Sequence, residues 1–235
     1  MINVIFRLFI LVFFISKVSL PLTDPKVLLM KTILRIDSSA RHEGSHSRTL
    51  GDYFEKQWLS KNPDAKLLSR DLASRPIEHI QQDTITGFYT PPEQLTDGLI
   101  RATALSDELI NELQAADALL ITVPLYNFSI PSSLKAWIDQ VSRIGHTFSY
   151  DGERFQGLVK TKRAYIICAY GSSGYLPGNT LASANFLQPY LQFVLNFLGI
   201  QAVHFFSLEG ASSDEATIAT NVAHVKSTID QSVSA

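Results

Sequence analysis

The sequence is poor in the residues from which most covalent and metal sites are built. It has a single cysteine, Cys168, among 235 residues, which excludes an intramolecular disulfide framework and a cysteine metal cluster. Its six histidines show neither a His-Glu-x-x-His nor a His-x-His spacing, so we expect no metal site. No serine stands in a Gly-x-Ser-x-Gly elbow, so a hydrolase would lack its central motif.

Charge of one sign is also lacking, because the formal net charge is −2 and there is no long basic run. This balance gives no electrostatic support for binding a nucleic acid. With 46% hydrophobic and 18% charged residues, the composition is that of an ordinary globular protein. A chain of this length is sufficient for one domain with a well-buried core.

A long apolar run lies near the N-terminus, where residues 8–15 are all hydrophobic. A membrane span needs about 20 apolar residues, and no Ala-x-Ala-like cleavage site follows the run. Because Met30 precedes a natural first strand, we expect residues 1–29 to be an extension upstream of the true start, and residues 30–235 to form the domain. An export or anchoring segment and a structural element are the alternatives. We expect a cytoplasmic protein without stable membrane association.

Apolar periodicity predicts strands that alternate with helices along the domain. Residues 76–97, which contain two adjacent prolines, are expected to form a long loop, and residues 147–155 a hairpin that turns at Asp151-Gly152. The alternation predicts an α/β fold with a doubly wound parallel sheet. The predicted strands are 32–36, 65–70, 117–123, 162–169 and 202–206, and the predicted helices are 45–60, 99–115, 132–143, 181–198 and 213–232.

The end of the third strand is the most informative stretch. Residues 118–123 are apolar on both faces, as in a buried parallel strand, and Pro124-Leu-Tyr-Asn-Phe128 follows. Open α/β sheets bind ligands at this carboxyl edge. Two aromatic rings and an amide, without an acid, base or nucleophile, suit the binding of a flat cofactor that supplies the chemistry. The alternative for Tyr126, Phe128 and the hairpin residue Phe148 is that they are core aromatics.

The loop between the first strand and the first helix is rich in hydroxyl groups. It contains Ser38, Ser39, Ser45 and Ser47, and a helix start follows. Small donors around a helix N-terminus form an anion site, although Ser45 or Ser47 could also simply cap the helix. The Gly-x-Gly-x-x-Gly and Gly-Lys-Ser/Thr fingerprints are missing, so a terminal phosphate suits the loop better than a pyrophosphate. In flavodoxin-like sheets, strands one and three flank the site of the mononucleotide FMN.

A third loop, Ala169-Tyr-Gly-Ser172, follows the fourth strand at the same predicted sheet edge. Gly171 would let the backbone approach the edge of a ring closely. The alternative is a flexible loop that makes no contact with the ligand.

Taken together, these motifs resemble the FMN-dependent NADH-azoreductases, which also act as NADH:quinone oxidoreductases. The resemblance extends from about Met30 to Ala235. It is carried by Ile36-Asp-Ser-Ser39, Ser45-His-Ser47, Pro124-Leu-Tyr-Asn-Phe-Ser-Ile-Pro131, Leu134-Lys135 with Asp139, and Gly145-His-Thr-Phe-Ser-Tyr150.

The resemblance implies a flavodoxin-like five-stranded parallel sheet in the order 2-1-3-4-5, with helices on both faces. It also implies a homodimer with one FMN per subunit, in which each site is completed by the other chain. Phe128 and Phe148 would be substrate contacts, and no side chain would be catalytic. The cofactor-binding residues that it implies are Ser39, Ser45, His46, Ser47, Leu125, Tyr126, Asn127, Phe128, Ala169, Tyr170, Gly171 and Ser172. Many relatives have Ser-x-Gly-Gly in the last loop, so Ala169 and Ser172 depart from the pattern.

The activity that follows from the resemblance is reduction of quinones by two electrons, and reductive cleavage of aromatic azo compounds, at the expense of NADH. One slot that serves both partners predicts a ping-pong mechanism. A non-catalytic flavodoxin-like electron carrier or regulatory flavin-binding module is the alternative, although a charge of −2 gives little sign of the acidic surface that a carrier needs. A hydrolase of similar topology is the third possibility.

Overall fold

The computed structural model describes residues 32–234. The predicted extension 1–29 and its boundary with the domain lie outside this range. Five parallel strands form the main sheet in the order β2-β1-β3-β6-β7. Because β4 and β5 form a separate hairpin, this order is the predicted 2-1-3-4-5, and the fold class is confirmed. The strands are β1 (Thr32–Asp37), β2 (Lys66–Asp71), β3 (Ala118–Pro124), β4 (Phe148–Tyr150), β5 (Phe155–Gly157), β6 (Arg163–Ala169) and β7 (Ala202–Leu208).

Helices cover both faces of the sheet, because alternate strand residues point to opposite sides. On one face, Ile33 and Leu120 pack with Phe54 of the first helix and Ile229 of the last. On the other face, strand residues such as Leu119 pack with the third, fourth and fifth helices. The helices are α1 (His46–Lys61), α2 (Gln82–Tyr89), α3 (Asp97–Ala115), α4 (Ser132–Val141), α5 (Leu187–Leu198) and α6 (Glu215–Ser234). Within residues 32–234, no helix is long and apolar enough to cross a membrane.

The prediction that residues 76–97 form a loop is wrong, because this segment contains α2 and a short 3₁₀ helix, Pro92–Gln94. The Thr84 hydroxyl accepts the Gln81 N–H at 3.3 Å at the start of α2. Gly87 packs so closely on α3 that an added Cβ would lie 2.5 Å from Thr103 Cγ2. Tertiary packing on α3 therefore outweighs the weak helix propensity of α2.

Two helices begin later than predicted, at Leu187 and Glu215 instead of 181 and 213. The Asn185 side-chain oxygen accepts the backbone N–H groups of Leu187 and Gln188, both at 3.2 Å, which fixes the start of α5. Asp214 accepts the Thr217 N–H at 2.9 Å in the same way before α6. Both acceptors are the short polar side chains that favour helix starts.

The hairpin is confirmed, and it is attached to α5 through two glycines. Asp151 Oδ1 accepts the N–H groups of Glu153 and Arg154 at 2.9 and 2.8 Å in the turn. At the end of β5, an added Cβ on Gly157 would lie 2.2 Å from the backbone nitrogen of Gly199. The backbones of the hairpin and of the α5 terminus are therefore in direct contact.

Candidate functional site

The loop after β1 is fixed to the end of β3. The Ser38 N–H and hydroxyl both donate to the Thr122 carbonyl, at 3.1 and 2.8 Å. Ser39 Oγ lies 3.4 Å from the Tyr126 hydroxyl oxygen and accepts the Arg41 N–H at 3.2 Å. These bonds bring the end of the first strand and the tip of the third strand together, as the sequence predicted.

The start of α1 supplies free donor groups. Ser45 occupies the N-cap position, but its side chain accepts no hydrogen bond from the helix backbone. Its hydroxyl lies instead 3.3 Å from that of Ser47, and both side chains are almost fully buried. The first N–H groups of a helix have no partner within the helix. Since Ser45 does not satisfy them, simple helix capping is not its role in the structure.

Arg48 connects this loop to the end of β2. Its Nη2 donates to the Ser39 carbonyl at 2.8 Å, and its guanidinium pairs with Asp71 at 2.7 and 3.0 Å. Partial burial alone would raise the pKa of Asp71, but hydrogen bonds from Arg48, Ala73 and Ser74 outweigh it and hold the pKa well below its usual range. Sequence reasoning missed this pair, because the two partners lie 23 positions apart.

A strained turn ends the third strand. The N–H and carbonyl groups of Tyr126 and Ser129 are joined by two hydrogen bonds of 3.0 Å. The two residues between them have positive φ values, 48° for Asn127 and 71° for Phe128, as a type I′ turn requires. Positive φ is unfavourable for a bulky residue and marks functional sites when it is retained. The turn leaves the Phe128 side chain 53% exposed.

The loop after β6 meets the loop after β7. The Gly171 carbonyl accepts the Ser212 N–H at 2.9 Å, and the Tyr170 carbonyl accepts the Ala211 N–H at 2.8 Å. The Tyr170 side chain turns away into the core, where it stacks on Tyr175 with 5.4 Å between ring centroids. Gly171, together with Ala211 and Ser212 of the loop after β7, forms the third wall of the site. The Tyr170 ring belongs to the core.

These three loops enclose a cleft of about 220 Å³. Eight of the twelve predicted cofactor-binding residues line it, and Asn127, Phe128, Tyr170 and Ser172 do not. Sequence reasoning missed five lining residues, of which Ala211 and Ser212 become neighbours only through the sheet order. The lining residues are Ser39, Arg41, Gly44, Ser45, His46, Ser47, Pro124, Leu125, Tyr126, Ala169, Gly171, Ala211 and Ser212.

A second cavity of about 530 Å³ adjoins the first, and Tyr126 contributes to both. Its walls are the strained turn, including Asn127, the start of α4, Lys135 and Tyr190. Lys135 forms an ion pair with Asp139 one turn further along α4. The two cavities thus share Tyr126 as a common wall at the carboxyl end of β3.

Phe148 lies apart from both cavities. It packs against Phe197 of α5 and Phe155 of β5, with ring centroids 4.8 and 6.1 Å away. A role at the site would therefore require this hairpin to approach the cleft of another chain.

The single cysteine and the histidines show no sign of chemistry in the described part of the chain. Cys168 is fully buried in β6, and burial raises the pKa of its thiol to about 12, as expected for a structural thiol. Among residues 32–234, no three histidine, cysteine or acidic side chains are grouped so that they could hold a metal ion.

The chain resembles known proteins over most of its length. A family model described as a flavodoxin-like fold matches residues 31–231. A Xanthobacter autotrophicus protein named FMN-dependent NADH:quinone oxidoreductase is 56% identical over 174 residues, which are 74% of this chain and 84% of that protein. A protein of the same name from Hydrogenovibrio crunogenus is 40% identical over 200 residues, which are 85% and 98% of the two chains.

Solved structures share the fold. An azoreductase from Bacillus anthracis strain Sterne superposes with a TM-score of 0.78 at 22% identity, over 87% of this chain and 99% of that one. An FMN-dependent NADH-azoreductase from Bacillus anthracis strain Ames Ancestor, solved in complex with FMN, gives a TM-score of 0.75 at 20% identity. It is matched over 86% of this chain and 100% of that one.

Proposed function

The chain belongs to the flavodoxin-like family of FMN-dependent NADH:quinone oxidoreductases, and on that premise we propose that it is itself such an enzyme. We propose that it uses NADH and FMN to reduce quinones by two electrons and to cleave aromatic azo bonds reductively. The observation that carries the proposal is the cleft in which the serine loop, the end of β3 and Gly171 meet. Identity of 56% to a relative with that name supports it.

The donor set of the cleft fits a phosphate monoester. Buried hydroxyls of Ser39, Ser45 and Ser47 stand beside the N-terminus of α1, whose unpaired N–H groups and dipole favour an anion. The serine hydroxyls have few competing partners, because Ser45 and Ser47 bond each other instead of the backbone. The proposed phosphate therefore takes the place that a capping side chain has in other helices.

The remaining walls suit the flat end of the same cofactor. When bound, FMN would supply the redox chemistry, which is two-electron transfer from NADH to the acceptor: one NADH would reduce a quinone, and two NADH, four electrons in all, would cleave an azo bond to two amines. Leu125 and Tyr126 offer a flat apolar wall, and Gly171 has no side chain to hold the ring away from the backbone. The chain binds and orients the ring and excludes water from it. In this proposal no side chain is a catalytic acid, base or nucleophile.

One exposed slot over the ring would serve both NADH and the electron acceptor in turn. The cavity beside Asn127 is the proposed entrance, and the exposed Phe128, the next residue of the turn, is the proposed substrate contact. Steady-state rates measured against NADH at several quinone concentrations should give parallel double-reciprocal lines. Intersecting lines would mean that both substrates bind together, and would reject the ping-pong mechanism.

We propose that two copies of the chain associate through the aromatic surface formed by β4, β5 and α5. On this surface Phe155 is 60% exposed and Phe193 69% exposed, and both rings contact the half-buried Phe197. Exposed aromatic groups of this extent are typical of interfaces. The residue before α5 is joined to the strained turn, since the Phe186 N–H donates to the Phe128 carbonyl at 3.0 Å. A partner bound there would bring its own hairpin, with Phe148, to the neighbouring site.

Sedimentation velocity on the flavin-loaded protein tests this association. Phe193→Glu adds a charge to the surface and should convert a dimer into a monomer with weakened FMN binding. Leu67→Glu on the edge strand β2, where Leu67 is also partly exposed, is the matched control and should remain dimeric. A monomeric wild-type protein that binds FMN normally would reject the homodimer.

Flavin content is the direct test of the main proposal. The purified protein should be yellow, release FMN on denaturation, and bleach with NADH in the absence of oxygen. Replacing both Ser45 and Ser47 by alanine should reduce FMN affinity by about 100-fold or more, since each hydroxyl bond to a charged group contributes about 1.5–3 kcal/mol and about 1.4 kcal/mol is tenfold. Ser60→Ala, at the exposed end of α1, is the control and should bind FMN like the wild type.

The outcomes of this test separate the candidate functions. A colourless protein that takes up no added FMN would reject the flavin proposal. Bound FMN without NADH turnover would favour an electron carrier, and esterase activity without flavin would favour a hydrolase.

We propose a cytoplasmic location, since an enzyme that consumes NADH needs the supply that the cytoplasm provides.

A further inference from the structure

We propose that Arg41 contributes a positive charge by which this chain favours a phosphorylated flavin over an unphosphorylated one. The inference rests on the proposed FMN site and concerns the end of the cleft that would take the phosphate. The serine hydroxyls and the start of α1 would favour the phosphate as well, and Arg41 would add a full positive charge to these neutral donors.

Arg41 is held at the mouth of the cleft by its backbone. Its N–H donates to Ser39 Oγ at 3.2 Å, so the residue is fixed to one of the groups that would bind phosphate. Gly44, with a φ of 63°, then turns the loop back to Ser45. Arg41 consequently lines the same cleft as Ser45 and Ser47, while the residue as a whole stays exposed.

The other arginines near the cleft are already paired with carboxylates. Arg48 pairs with Asp71 at 2.7 Å, and Arg35 pairs with Asp37 and Asp52 at 3.1 and 2.7 Å. Within residues 32–234, Arg41 forms no ion pair. Its guanidinium is therefore available for an anion that enters the cleft.

A phosphate monoester carries between one and two negative charges near neutral pH. Arginine suits such a group because its planar fork of donors matches two phosphate oxygens at once. Riboflavin has the same ring and ribityl chain but no phosphate, so Arg41 should contribute nothing to its binding. The expected contribution is about 10-fold in FMN affinity, the lower end for a charge-assisted hydrogen bond because Arg41 is exposed.

The experiment measures affinities for FMN and riboflavin by quenching of flavin fluorescence, on the flavin-stripped full chain. Arg41→Gln retains the backbone N–H and much of the side-chain length but removes the charge. Arg41→Lys retains the charge without the fork. Arg101→Gln on α3, an exposed arginine outside the cleft, makes the same change in net charge and is the control.

We expect Arg41→Gln to bind FMN about 10-fold more weakly and riboflavin as tightly as the wild type, with Arg41→Lys in between and Arg101→Gln unchanged. The FMN loss in Arg41→Gln should also shrink as salt is added, because an exposed charge is screened. Unchanged FMN affinity in Arg41→Gln would overturn the inference, and so would an equal loss for both flavins. A wild-type protein that binds neither flavin would instead reject the proposed function itself.

Discussion

The ion pair between Arg48 and Asp71 gives the sharpest stability prediction. Its two hydrogen bonds measure 2.7 and 3.0 Å, and the side chains are only 12% and 25% exposed. Exposed pairs contribute up to about 1 kcal/mol, whereas breaking a buried pair costs about 3–5 kcal/mol. For this partly buried pair we expect Asp71→Asn to lower the free energy of unfolding by about 2 kcal/mol near pH 7.

The direction of the pKa shift of Asp71 determines how this loss in the free energy of unfolding depends on pH. The pKa of Asp71 is lowered in the folded chain, and the unfolded value is about 3.9. The carboxylate therefore adds stability that is fully present above the unfolded pKa and is lost as the pH falls from there through the lower pKa of the folded chain. The difference between wild type and Asp71→Asn should accordingly be about 2 kcal/mol at pH 7 and pH 5, be only partly lost at pH 3, and vanish below the folded pKa.

Urea denaturation at pH 3, 5 and 7 measures this difference, on flavin-stripped protein because a ligand bound to the native state adds its own stability. Asp64→Asn, at an exposed acid in the loop after α1, is the control and should stay within about 0.5 kcal/mol of the wild type at all three values. A loss of the same size at pH 3 and pH 7, or a loss below 0.5 kcal/mol at pH 7, would refute the reasoning.

Three further predictions concern the strained turn, the hairpin contact and the buried thiol. Phe128→Gly should raise the free energy of unfolding by about 1 kcal/mol, because it relieves a positive φ, and should lower kcat/KM for quinones; a stability loss would contradict the strain. Gly157→Ala should lower the free energy of unfolding by about 2–3 kcal/mol because its Cβ would meet the Gly199 backbone. Gly98→Ala in α3, whose Cβ would make only an ordinary contact with Thr96 Oγ1 at 3.7 Å, should instead raise it slightly. Cys168, whose pKa burial raises to about 12, should not react with a thiol reagent at pH 8 until the chain unfolds, and rapid native labelling would disprove its burial.

Most of the fold could be predicted from the sequence because buried parallel strands leave an unmistakable apolar run. This signal predicts a strand at residues 117–123, and the structure has β3 at Ala118–Pro124. The helix α2 could not be found in this way. Its stability comes from Gly87 packing on Thr103 of α3, a contact between residues 16 positions apart that no local pattern records.

The candidate site, like the fold, combines residues that a local motif predicts with residues that only the order of the strands brings into place. The serine loop and the end of β3 were predicted because each is a continuous motif at the end of a strand, and both line the cleft. No local motif points to Ala211 and Ser212, since they reach Gly171 only because β6 and β7 are neighbours in the sheet. Tyr170 was named as part of a motif, but alternation along the chain directs its ring into the core.

The contact between Gly157 and Gly199 has a consequence for the proposed association of two chains. Because two backbones touch there without intervening side chains, the hairpin has no rotamers through which to shift relative to α5. Its aromatic rings are therefore preorganised on the surface before any encounter. A partner that docks on them loses less conformational entropy in ordering this face than it would against a mobile loop. Loosening the glycine contact should thus weaken association through entropy, even where every interfacial ring is retained.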